Sequence, residues 1–177
     1  HKNILIFRRF FNSANRFIKY KKDIENQVAL DNVISIGLNL TEPFAVDFMM
    51  ITRQDIYEAA LNSGTAIITT SNVSKGTRGN VKVLNYKNWI DISDGRTHDS
   101  SSVILLNLLK ACGVKSILLA GFDGFMVDIN ENYSDPNLRH PVSAEQVERR
   151  NAYYKHFVQD LNGFGINVHF LTPSKYM

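Results

Sequence analysis

Seven short apolar runs, most of them rich in β-branched residues and each closed by polar residues or glycine, punctuate the chain. They are Asn3–Phe7, Val33–Leu38, Ala45–Met50, Ala66–Thr70, Val81–Tyr86, Ser116–Ala120 and Asn167–Leu171. Strands of a parallel sheet read this way when both faces are covered. Between several of them the apolar spacing changes to that of a helix. Arg53–Asn62 sets Ile56, Ala59 and Ala60 along one face and stops before Gly64, and Asn12–Asn26 carries a weaker stripe. Two later segments are stronger. The stretch SSSVILLNLLKACGVKSILLAGFDGF, Ser100–Phe125, predicts a helix beginning near Asp99 whose only polar positions between the serines and Cys112 are Asn107 and Lys110. Such a helix is covered on nearly all sides. Gly113 ends it and the chain passes into the strand SILLA. The other helix starts at Ser143, whose hydroxyl is placed to cap the amide of Gln146 in a capping box. It sets Val147, Tyr154, Phe157, Val158 and Leu161 on one face and closes at Asn162-Gly163.

Strands alternating with helices predict an α/β, Rossmann-like three-layer domain with a mainly parallel sheet of six or seven strands. One domain over residues 1–177 is expected, because the chain is long enough for one ordinary core and short for two. No internal repeat, low-complexity tract or linker interrupts it. The longest stretches without a pattern are Ser71–Asn80 and Val127–Pro141, and loops of that length inside a compact domain are often functional.

Composition narrows the setting. The single cysteine, Cys112, sits in an apolar run, so no disulfide forms within the chain and a buried thiol in a reducing, cytoplasmic compartment is expected. No apolar run reaches the roughly 18–20 residues that span a bilayer. Charge is uneven: the formal net value is only +3, yet seven Lys or Arg residues lie between Lys2 and Lys22 with no acidic residue before Asp23. That end suits an anionic ligand, or it is a solvated cationic face. Nucleic acid is not an expected partner, since no aromatic residues are arranged to stack on bases.

In open α/β sheets ligands bind outside the carboxyl ends of the strands. The rule selects Arg8 with Asn12 and Ser13 after the first strand, Asn39 after the second, Ser71 and Asn72 after the fourth, and Asp123 after the sixth. Ser101 and Ser102, at the start of the apolar helix, add free amides and the positive end of a helix dipole. Each of these residues also fits a plain cap or turn. Several chemistries are excluded by pattern. FRRFFNS follows the first strand where a GxGxxG loop belongs, and neither GxxxxGK[ST] nor GxSxG occurs. The histidines lack the close spacing of zinc ligands, so no metal and no cofactor are expected.

The order of a strand ending in Asn39, a hydroxyl-rich helix start, an apolar helix, GVKSILLAGFD, and later His140 resembles the bacterial sialyltransferases that use CMP-sialic acid. The resemblance implies that Asn39 and Ser101 or Ser102 contact a nucleotide or nucleotide-sugar. It also implies that His140 acts as general base on an acceptor hydroxyl. A second resemblance, carried by AGFDG and by Thr70-Ser71-Asn72, is to the C-terminal domain that follows the barrel in aldolase-like proteins of the 4-hydroxy-2-oxovalerate aldolase and HMG-CoA-lyase type. It implies an N-terminal aldolase-like domain in the same polypeptide, consistent with a chain that opens on His1. The bulky Arg8-Arg9-Phe10-Phe11 departs from the glycine-containing first loop of the sialyltransferases. Three readings therefore stand: a CMP-type binding domain linked to surface-glycan metabolism, an active glycosyltransferase using His140, and an interaction domain in which a homo-oligomer contact replaces the pocket.

Overall fold

The computed structural model describes residues 3–8, 24, 26, 32–39, 46–74, 79–128 and 141–177, with the backbone alone for residues 7 and 8. Its seven strands are β1 (Asn3–Arg8), β2 (Val33–Leu38), β3 (Phe48–Ile51), β4 (Ala66–Thr70), β5 (Val81–Leu84), β6 (Ser116–Ala120) and β7 (Asn167–Phe170). The helices are α1 (Gln54–Leu61), α2 (Ser101–Ala111) and α3 (Ala144–Gly163). Every described strand pairing is parallel, which makes the chain the Rossmann-like α/β fold that its pattern predicts. Of the helix expected over Asn12–Asn26, only residues 24 and 26 are described, and both are helical. The chain divides into two compact units, His1–Val33 with Lys115–Met177, and Ile34–Val114.

In the Ile34–Val114 unit the strands follow the order β5-β4-β3-β2, in register Leu38↔Met50, Met50↔Ile68 and Ile68↔Lys82. Alternation along each strand then separates two faces. Met49, Ile51, Ile67 and Val81 point to one side, where Ile56, Tyr57 and Ala60 of α1 pack on them. Leu38, Met50 and Thr70 point to the other and are equally buried, so that side is covered too. Helix α2 contacts β3, yet contributes nothing to the cluster on the α1 side, which places it on this second face. Its apolar circumference follows: Val103, Ile104, Leu105, Leu106 and Leu109 are all buried. At about 1.5–3 kcal/mol for each fully buried large apolar side chain, this burial outweighs any helix propensity.

Several other element ends shift by one residue, and four departures from expectation have a local reason. Strand β3 opens at Phe48 instead of Ala45, because Asp47 turns toward β2 and its Oδ2 accepts from Ser35 N at 2.7 Å and Ser35 Oγ at 2.8 Å. Strand β5 stops at Leu84, since Asn85 caps a 3₁₀ turn over Tyr86–Asn88 by accepting from Lys87 N. Helix α3 runs through Gly163, and the left-handed residue after it is Gly165, with φ 76°. Cys112 is exposed rather than buried, as it follows the last turn of α2 at the C-cap. The capping box at Ser143 and Gln146 forms as the sequence predicts, with bonds of 3.1 Å and 3.0 Å.

The other unit pairs β1 with β6 and β6 with β7 around Leu5, Ile24, Val33 and Ala120. Its AGFDGF segment, after β6, is bound on two sides. Asn151 of α3 accepts from Phe125 N at 2.8 Å and donates to Phe125 O at 2.9 Å. On the second side, Ser174 Oγ donates to Phe122 O at 2.6 Å and Lys175 N donates to Asp123 O at 3.2 Å. Gly124 is needed here: its φ is 103°, and a Cβ would stand 2.9 Å from Lys175 Cβ. Gly124→Ala is therefore expected to destabilise the protein by roughly 1–3 kcal/mol in urea unfolding. An unchanged midpoint would show that the segment is not held in this way.

Candidate functional site

Because β2 to β5 are parallel, their carboxyl ends share one edge of the Ile34–Val114 unit, and a row of polar groups, hydrogen-bonded in two chains that meet at the start of α2, runs along it. The row starts at Asn39, the only described non-glycine residue with positive φ, at 48°. Asparagine tolerates this region better than other side chains because its short amide bonds locally. Here Asn39 N donates to Met50 O at 2.9 Å, and its Oδ1 accepts from Thr52 N at 2.9 Å. Its Nδ2 donates to Ser101 Oγ at 3.1 Å, in the first turn of α2. One side chain thus ties the ends of β2 and β3 to the start of the helix.

Ser100 is the N-cap of α2, its Oγ accepting from Val103 N and lying 3.1 Å from Ser102 Oγ. The backbone amides of Ser101 and Ser102 fall among those that have no partner within a helix. Ser101 Oγ accepts from Asn39, while its own proton has no acceptor among the described residues. One residue before the cap, the exposed Asp99 accepts from Tyr86 Oη at 2.6 Å through Oδ2. Tyr86 N in turn donates to Ser71 Oγ at 3.1 Å, and Ser71 N to Leu84 O at 2.8 Å. The chain Ser71–Tyr86–Asp99 therefore leads to the same helix end as Asn39. Thr70, at the end of β4, is fully buried, and its Oγ1 has no partner among the described residues.

A helix N-terminus carries a partial positive charge, and the exposed Asp99 carboxylate stands one residue before the cap of α2. The bond to that carboxylate, followed by burial, pushes the Tyr86 phenol up to about 12. The phenol is thus a fixed donor at any pH where the protein is handled.

Of the residues selected from sequence, Asn39 and Ser101 are in direct contact, while Ser102 and Ser71 belong to the same row. Asn72 is exposed beside it. Asp123 lies in the other unit, where its Oδ1 accepts from Thr172 Oγ1 at 3.3 Å. Arg8 ends β1, and its side chain lies outside the described residues, as do Asn12, Ser13 and His140 altogether. Thr52 and Tyr86 were not selected. The same carboxyl-end rule, applied to the third and fifth strands, points to both. Among the described residues no group of three or more His, Cys, Asp or Glu side chains gathers in metal-binding geometry. No described helix is long and apolar enough to cross a membrane.

No family model, curated protein or solved structure matches the chain.

Replacing the carboxylate reads out the Tyr86 bond. In Asp99→Asn the Tyr86 ionisation should fall from near 12 toward the ordinary value of about 10, followed by NMR of ring-labelled tyrosine. A raised folded-state value stabilises the fold below pH 10 and is lost as pH rises toward 12, so the wild type should lose ground to the variant only in that window. Identical titrations in the two proteins would contradict the bond.

Proposed function

We propose that the chain is a small-molecule-binding domain of the nucleotide-sugar type, with the carboxyl edge of β2 to β5 as its recognition surface. The single observation that carries this reading is the bond between Asn39 and Ser101. These residues are 62 positions apart in the chain, and the resemblance to the sialyltransferases implies that both contact the nucleotide. Asn39 supports the reading a second way, because a left-handed residue at a strand end is a costly conformation that functional sites often retain. The edge offers both hydrogen-bonding senses, with the Ser101 hydroxyl as donor and the exposed Asp99 carboxylate as acceptor. A ligand carrying hydroxyls and carbonyl or ring-nitrogen acceptors matches that set. Attachment to an aldolase-like domain and a place in surface-glycan metabolism are part of the same proposal and rest on the resemblance alone.

Thermal unfolding with CMP, UDP and CMP-sialic acid tests it. At a ligand concentration near 100 times Kd the melting temperature should rise by roughly 5–10 °C for at least one of the three. Asn39→Gly keeps the backbone conformation accessible and removes the amide, so it should fold and lose most of the rise. Ser101→Ala should do the same. A wild-type protein that none of the three shifts would overturn the reading.

A further inference from the structure

We infer that the buried hydroxyl of Thr70 bonds an uncharged group of the ligand, a ring hydroxyl or carbonyl, an assignment that rests on the nucleotide-sugar reading. Among the described residues five polar side chains are buried: Thr69, Thr70, Ser101, Ser102 and Thr172. Four of them have partners. Thr69 Oγ1 donates to Ile51 O at 2.7 Å, Ser101 Oγ accepts from Asn39, Ser102 Oγ lies 3.1 Å from Ser100 Oγ, and Thr172 Oγ1 accepts from Gly121 N at 3.0 Å. Thr70 Oγ1 is the exception: it is closed to solvent and no described residue bonds it.

The local backbone makes no use of that hydroxyl. The turn after β4 is closed by the Thr70 carbonyl, which accepts from Val73 N at 2.9 Å and from Ser74 N at 3.0 Å, so the side chain is not its cap. Valine has the same branched shape, suits a strand equally well and buries no polar atom. A buried hydroxyl without a partner lowers stability, and a ligand that bonds it restores the loss. Its position points to the ligand side. Thr70 is the last residue of β4, and alternation turns it toward the face that α2 covers. Strand β4 lies between β3 and β5, and the start of α2 is tied to the ends of both. Asn39, which also bonds Thr52 after β3, reaches Ser101, and Tyr86 after β5 reaches Asp99. The hydroxyl therefore sits at the carboxyl edge between these two ties, on the same face as the buried Ser101 and Ser102. One tie is exposed and the other half-buried, so a ligand that takes over their bonds uncovers it. A phosphate brought to so enclosed a place would lose its hydration, whereas an uncharged ring group loses little.

Calorimetric titration of the full chain with cytidine, CMP and CMP-sialic acid, for wild type, Thr70→Val and Thr70→Ser, tests the assignment together with the melting temperature of each protein without ligand. Thr70→Val should melt roughly 2–8 °C above the wild type and bind CMP-sialic acid roughly 5- to 100-fold more weakly, the range for leaving a buried polar group unbonded. Thr70→Ser keeps the hydroxyl and should bind close to the wild type. Where the base or the ribose meets Thr70, Thr70→Val weakens all three probes alike; where the donor sugar does, only CMP-sialic acid weakens. Either result supports the inference. Unchanged affinity for all three overturns it and leaves the nucleotide-sugar reading standing. Weaker CMP and CMP-sialic acid with cytidine unaffected assigns Thr70 to the phosphate and overturns it as well. A melting temperature below that of the wild type in Thr70→Val shows the hydroxyl bonded within the fold and overturns it whatever the affinity. Failure of every probe to bind the wild type overturns both the inference and the reading beneath it.

Discussion

The carboxyl edge of the β2–β5 sheet depends on one side chain. Asn39 leaves β2 in a left-handed turn, satisfies the amide of Thr52 and donates to Ser101. Parallel strands end with backbone groups that have no further ladder partner, and buried groups of that kind are costly unless something bonds them. A side chain with both an acceptor and two donors is suited to the task, and asparagine is the residue that combines them with tolerance of positive φ. The first turn of α2 is thereby fixed over the strand ends. The placement of Asp99, Ser100 and Ser102 follows from it.

Packing and electrostatics then divide the work along α2. The body of the helix is apolar nearly all round and is held by burial against the face of the sheet opposite α1, so its position needs no polar contact. Its start is polar, and there the exposed Asp99 carboxylate, held by Tyr86 Oη, stands one residue before the cap.

Much of this was legible in the sequence, for physical reasons that differ by residue. Continuous apolar runs such as SILLA and VISIGL mark strands buried on both faces, and their limits are matched to the residue. Ser143 and Gln146 announce a cap because the motif is local. Asn39 and Ser101 were selected by position at strand and helix ends, but their contact was not, since hydrogen bonds across 62 residues leave no local pattern. Tyr86 was hidden by the opposite effect: it continues the apolar run of β5 and reads as strand, whereas Asn85 ends the strand one residue earlier with its own side chain. Ser35 and Asp47 displaced the start of β3 by a similar non-local bond.

The central claim is that a nucleotide-sugar-type ligand meets the row of polar groups from Ser71 to Asn39. Amide chemical-shift mapping of the labelled chain during a CMP titration tests it most directly. The account predicts that the largest changes fall on Asn39, Thr52, Tyr86 and Ser100–Val103, with small changes along α3. Saturable binding whose largest changes lie on α3, with the Asn39 and Ser101 amides unmoved, would contradict it.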